Sequence, residues 1–540
     1  MIRFVLSAAL LLAAFPLPAQ APPVEARQVG AARLENVPEI PDEIRTAVQR
    51  YQNYREARLQ DWVRNGTILI TTRFGATTQV HHVEAPLRGR RQLTFHEEPV
   101  TSAWAIPKSH AFVYSRDTGG DEWFQLYVRG VDAIETRQLT EPGTRNQAPV
   151  FSPDGRLMAW SRASRGSPDY AIMTAAPSDP ATRRLAWEGT GGVAPSDISD
   201  EGRRVLLSRG LSNRENRLMI LDLASGEARE LDWTAREPAR FEEARFIRDG
   251  RSILTLSDTG SDVLRLVEID VGNGRVTPVS PELRWDVEDY DLSDDGRLLA
   301  YSVNEEGYSR VVVQDFVTRR AMPQPEALER GVLTGLEFSP NGDQLGISLS
   351  SARSAGDVYI LHLTDGGGIE RWTMSELGEL DREALVEPEL IRFESFDGLS
   401  VPAFVYRPRG AAPAERTPVI VDIHGGPESQ ARPQWNPGAQ FFADMPGATI
   451  ILPNVRGSEG YGRRYLDLDN AERREDSDRD TGALLDWIAR QPGLDASRVA
   501  VYGQSYGGYM SLASMIHFGH RLVGGVQRYG NSNWVRFLPN

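Results

Sequence analysis

The chain has 540 residues, 40% of them apolar, with 75 Asp and Glu against 60 Lys and Arg for a formal charge of −15. That acidity argues against nucleic acid and anionic membrane as main partners. The absence of cysteine removes disulfides, thiol catalysis and cysteine-based metal sites, and the length is material for more than two domains.

The first residues read as a secretory leader over 1–21. Arg3 supplies the positive start, Phe4 to Phe15 the apolar run, and Ala19-Gln20-Ala21 a small-x-small cleavage site. About 12 apolar residues are too few to cross a ~30 Å hydrocarbon layer. The expectation is therefore an exported protein, periplasmic or extracellular, with no membrane contact after cleavage. Residues 22–58 hold a helical segment: Pro41 and Asp42 suit its start, and Ile44, Val48 and Tyr51 share one face.

From 59 to 375 a turn signature recurs, followed each time by an apolar run. It reads Ser152-Pro-Asp-Gly155, Ser199-Asp-Glu-Gly202, Arg248-Asp-Gly250, Ser293-Asp-Asp-Gly296 and Ser339-Pro-Asn-Gly342. The glycines recur every 46 to 48 residues, and weaker copies stand at Ser109 and Asn65-Gly66. Several short strands per unit at this period predict a seven-bladed β-propeller. A β-sandwich has no reason to keep one interval for so long.

Residues 376–388, charged and interrupted by Pro388, read as a linker. From 389 to 540 the pattern becomes that of an α/β-hydrolase domain. A hairpin runs from Leu390 to Tyr406 through Asp397-Gly398, and Pro418 to Ile423 is a buried strand ending in His424-Gly-Gly-Pro427. Another strand, Ala448 to Leu452, leads into the segment Asn454–Gly462. A helix is expected over Thr481 to Arg490, with Asp480 as its cap. The strand Arg498 to Tyr502 runs straight into Gly503-Gln-Ser-Tyr-Gly507. Alternating strands and helices imply a mainly parallel sheet.

In G-x-S-x-G a sharp strand-to-helix turn exposes the serine hydroxyl, and the glycines let neighbouring backbone pass closely. Ser505 is therefore the candidate nucleophile. The oxyanion formed on attack needs two N–H donors. One is expected from Tyr506 and the other from Gly426, with Gly425 next, because Pro427 has no N–H to give. The eight histidines show no ligand spacing, so no metal and no cofactor is expected.

Three motifs together, His424-Gly-Gly-Pro427, Asn454-x-Arg-Gly-Ser-x-Gly-Tyr-Gly462 and Gly503-Gln-Ser-Tyr-Gly-Gly-Tyr509, resemble the prolyl oligopeptidase family of serine peptidases. The look is nearest its acylaminoacyl-peptidase and dipeptidyl-peptidase-like branches. The resemblance implies a propeller ahead of the hydrolase domain and short peptides as substrates, cleaved through a Ser505 acyl-enzyme. It implies a supporting role for the Asn454–Gly462 loop. Glu242-Glu243 is similar to the acidic pair that holds a substrate amine in dipeptidyl peptidases, but it falls at the start of a blade strand and is read as structural.

The fold's triad continues from serine to an acid and then a histidine. No Asp or Glu follows Ser505. His517 and His520 fall where the helix after the elbow ends. The hydrolase domain is thus expected to be truncated, roughly 100 residues short of its type, and the 540 residues alone to be poor catalysts. An esterase on the same fold and an inactive propeller binding protein are the alternative functions.

Overall fold

The computed structural model describes residues 25–29, 32–64, 66–323, 328–364, 367–410 and 416–537. The expected leader at 1–21, and Asn65 of the weakest turn copy, lie outside them. The chain divides into two compact units, 1–49 and 50–540.

In the first unit, Ala26–Val29 and Ala32–Glu35 form an antiparallel hairpin with Ala26 opposite Glu35. Arg27 reaches Glu39 at 3.0 Å. The helix Asp42–Gln52 begins here with Asp42 and Glu43 in its first turn, where the helix dipole favours acids. Ile44, on the face it shares with Val48 and Tyr51, is 41% exposed.

The second unit opens with seven antiparallel sheets in succession. Six are four-stranded meanders, from Arg58–Gln92 to Val332–Arg371, and the sixth in order has three strands, Val287–Leu292, Leu298–Glu305 and Tyr308–Asp315. The ring closes where the first blade meets the seventh: Leu59 N–H donates to Ser348 Oγ at 2.6 Å and Trp62 Nε1 to the Glu337 carbonyl at 3.0 Å.

The repeated turn has one chemistry. In Ser152-Pro-Asp-Gly155 the glycine adopts φ +70° and returns its N–H to the Ser152 carbonyl at 2.8 Å. The serine hydroxyl then accepts the N–H of Leu157, at 3.0 Å. Ser199, Ser293 and Ser339 accept from Arg204, Leu298 and Gln344 in the same way. Each turn thereby satisfies its own backbone.

A second repeated device joins blades. Most innermost strands carry a bulge, as at Leu59/Asp61, Pro195/Asp197 and Val287/Asp289. Asp61, Asp197 and Asp291 accept the backbone N–H groups of Ala105, Phe246 and Phe338 in the following blade, at 2.7–2.8 Å. Burial pushes Asp61 up to about 7 and Asp197 up to about 6.

The hydrolase region holds a six-stranded sheet in the order Glu389–Glu394, Ser400–Tyr406, Thr449–Pro453, Thr417–Ile423, Leu494–Gln504, Gly524–Arg528. The first two strands pair antiparallel, and Thr449–Pro453 onward pair parallel. Val419, Val421, Ile451, Val499 and Val501 pack with Leu484, Leu485, Ile488 and Met510 in one core. The parallel strands read as continuous apolar runs because helices cover them.

One expectation is corrected. The helix runs Arg474–Arg490, so Asp480 lies inside it and caps nothing. Asp480 is fully buried and binds Arg456 instead. Polar contacts tie propeller to hydrolase: Arg463 Nε to Asp258 at 3.0 Å, Arg432 to Glu288 at 2.7 Å and Asn304 Nδ2 to Gln430 at 2.7 Å.

Candidate active site

Ser505 stands between the strand Leu494–Gln504 and the helix Tyr506–Phe518, with φ 56° and ψ −123°. A non-glycine residue at positive φ costs about 1–3 kcal/mol and persists only where its surroundings impose it. Here they do. The Ser505 N–H donates to the Arg528 carbonyl at 3.0 Å, and its carbonyl accepts from Gly508 and Tyr509 at 2.9 and 3.2 Å. The side chain is left exposed.

The glycines of the motif are demanded by contact. A Cβ on Gly503 would lie 2.2 Å from the Gly507 carbonyl oxygen, and one on Gly507 would lie 1.9 Å from the Ile423 oxygen. The elbow helix thus presses its first turn onto the end of the neighbouring strand. That contact brings the His424–Pro427 loop to Ser505: a Cβ on Gly425 would lie 3.7 Å from Ser505 Oγ. Gly426 follows at φ 117°.

The two expected oxyanion donors have distinct settings. Tyr506 is the first residue of its helix, so its N–H has no carbonyl four residues back. Its ring is buried and anchored, with the hydroxyl 2.8 Å from Ser477 Oγ and 3.4 Å from Asp469 Oδ2. The Arg474 guanidinium lies 5.2 Å from the ring centre. Gly426 depends on the loop before it. There His424 Nδ1 is 2.8 Å from the Gly425 carbonyl oxygen and Nε2 is 2.9 Å from Ser458 Oγ.

Ser458 belongs to the Asn454–Gly462 loop, which is held from three directions. Asn454 Oδ1 accepts from Ala431 N–H at 2.7 Å, and its Nδ2 donates to the Ala431 carbonyl at 3.0 Å. Arg456, 3% exposed, places Nη2 2.8 Å from Asp480 and 3.0 Å from Asp397, and Phe396 packs at 4.5 Å from its guanidinium. These two carboxylates hold Arg456 above the usual arginine range. The Tyr465 hydroxyl donates to the Asn454 carbonyl at 2.6 Å.

The other residues that the sequence brings into question fall elsewhere. Glu243 sits in the bulge of its inner strand at φ 51°, where its carbonyl accepts the Tyr290 hydroxyl at 2.5 Å. Glu242 lies 3.6 Å from Arg240. His517 is in the last turn of the elbow helix and His520 in the short turn after it. Twelve residues of helix put His517 roughly 18 Å along the axis from Ser505. Among the described residues no imidazole is hydrogen-bonded to the Ser505 hydroxyl, and no group of three His, Asp or Glu could hold a metal ion.

Glu459, beside Ser458, carries no signal in the sequence. Burial, reinforced by Glu242 and Glu428, pushes it up to about 7. Asp469, Ser477 and Arg474 under Tyr506 are equally silent. Their charged stretch has no apolar period to mark it as helix.

Known proteins resemble this chain in part of its sequence and in its fold. Residues 434–539 match the model of the prolyl oligopeptidase family. Dipeptidyl aminopeptidase BIII of Pseudoxanthomonas mexicana is 25% identical over 78% of this chain, which spans 62% of that protein. Dipeptidyl-peptidase 5 of Porphyromonas gingivalis is 22% identical over 49% of this chain and 39% of its own length. Prolyl oligopeptidase B of Galerina marginata shares the fold with a TM-score of 0.79 at 13% identity, over 97% of this chain and 84% of that one. The match to the prolyl oligopeptidase family thus covers the segment that holds the elbow, and the likeness to the solved structure covers the propeller-hydrolase fold.

Proposed function

We propose that this chain carries the acyl-accepting half of a serine peptidase acting on short peptides. The observation that carries the reading is Ser505, held at positive φ on the elbow with its hydroxyl beside the Gly425–Gly426 loop. The Ser505 oxygen attacks a peptide carbonyl carbon, and the resulting oxyanion is met by the Tyr506 and Gly426 N–H groups. Collapse breaks the C–N bond, the amine leaves with a proton, and water later splits the Ser505 ester and restores the hydroxyl. The names of the dipeptidyl aminopeptidase relatives support peptides over other acyl compounds. The leader-like residues 1–21 support a site of action outside the cytoplasm.

The proton transfers need a base, and none of the described imidazoles is hydrogen-bonded to the Ser505 hydroxyl. The 540 residues by themselves are therefore slow. The test compares release of an anilide from a dipeptidyl anilide with hydrolysis of a short-chain aryl ester by the purified chain. Slow cleavage of both, the ester faster because its leaving group needs no protonation, and both abolished by Ser505→Ala, is expected. Rapid anilide turnover that Ser505→Ala leaves untouched would overturn the reading.

A further inference from the structure

The peptide between Gly425 and Gly426 is a planar unit whose carbonyl and N–H point in opposite directions. Fixing one end fixes the other. Glycine on both sides makes this the softest peptide of the site, free to rotate unless something holds it. What holds it is the preceding side chain. His424 Nδ1 lies 2.8 Å from the Gly425 oxygen. A carbonyl oxygen only accepts, so Nδ1 carries the proton. The ring is held from its other side by Ser458, 2.9 Å from Nε2. That hydroxyl, with one proton to share between Nε2 and the Val455 carbonyl at 2.6 Å, ties the ring to the Asn454–Gly462 loop. The loop is in turn fixed by Arg456, whose own N–H donates to Asp480 at 2.9 Å. Burial disfavours the imidazolium and keeps His424 below the ordinary histidine range.

We propose that His424 is a positioning residue: its Nδ1–H clamps the Gly425 carbonyl, and this sets the direction in which the Gly426 N–H is offered to an oxyanion. Ser458 and the Arg456–Asp480 pair keep the clamp in place. The Asn454–Gly462 motif thereby acquires a task, carried through His424 and without contact to the reacting atoms. This rests on the reading of Ser505 as nucleophile.

The experiment has two arms. In the first, intact mass follows the rate at which an aryl phosphonofluoridate modifies Ser505 in the wild-type chain, in His424→Ala and in His424→Asn, whose amide N–H takes the δ position. Losing one oxyanion donor costs about 10²–10³-fold. A fall of about 10²-fold in His424→Ala is expected, with recovery to within about tenfold in His424→Asn. In the second, crystal structures of both variants report the Gly425–Gly426 plane: rotated in His424→Ala, retained in His424→Asn. A wild-type rate or an unrotated plane in His424→Ala would overturn the proposal. So would His424→Asn falling as far as the alanine variant. A wild-type chain that takes no adduct would sink the nucleophile reading alone, leaving the plane in the second arm to decide the role of His424.

Discussion

The chain turns on glycine in two places with opposite logic. In the sixth blade Gly296 sits at φ 68° with nothing within 4 Å of where a Cβ would be. Its turn is completed locally by Ser293, whose hydroxyl and carbonyl take the N–H groups of Leu298 and Gly296. At the elbow Gly507 needs no unusual φ, yet a Cβ there would meet the Ile423 oxygen at 1.9 Å. The blade turn is a conformational requirement and the elbow a steric one. The first is repeated and independent, whereas the second is the contact by which two segments distant in sequence assemble one site.

Substitutions can break this contrast. Gly507→Ala should have the largest effect, because the helix must lift off a central strand. A loss of roughly 4 kcal/mol or more, or no folded hydrolase domain at all, is expected by urea unfolding. A cost near 1 kcal/mol would mean the elbow yields as easily as a blade turn. Arg456→Met comes next. It strands the fully buried Asp480 without its cation, which costs about 3–5 kcal/mol for a buried pair. Restoring stability with Arg456→Met, Asp480→Leu together would show that the pair serves geometry more than stability.

Gly296→Ala should cost only about 1–2 kcal/mol, the strain of a left-handed alanine, and Ser293→Ala about 1 kcal/mol for one net hydrogen bond. Neither should change the reactivity of Ser505, since each turn closes on itself. A loss of phosphonylation in either variant would show that the blades and the elbow are coupled.

The smallest effect concerns pH. Asp61 is pushed up to about 7 by burial, above its unfolded value near 4. The folded chain therefore binds the extra proton, so the stability it adds is present at acid pH and is lost as pH rises through about 7. Asp61→Asn keeps an acceptor for the Ala105 N–H and removes the titration. It should flatten the decline in stability between about pH 4 and 7; an unchanged slope would show that Asp61 is ionised throughout.

Which parts are legible in the sequence follows from the same contrast. The propeller can be read because Ser-x-x-Gly turns are local and recur. The elbow can be read because Ser505 sits between an apolar strand and an apolar helix in continuous sequence. The extent of the Arg474–Arg490 helix cannot. Its first seven residues, Arg-Glu-Asp-Ser-Asp-Arg-Asp, carry no apolar period, and they are helical because Ser477, Asp478 and Asp480 find buried partners elsewhere in the chain. Asp480 reads as a cap for that reason: its partner Arg456 is distant in sequence. The clamp of His424 on the next residue's carbonyl is equally hidden, since His-Gly-Gly-Pro announces a tight loop and says nothing of where the imidazole points.

If Ser505 is the residue that accepts the acyl group, covalent phosphonylation should find it. Incubated with an aryl phosphonofluoridate, the 540-residue chain should gain one adduct, mapped to Ser505 by peptide mass, and Ser505→Ala should gain none. An adduct on another residue, or equal modification of the alanine variant, would contradict the claim.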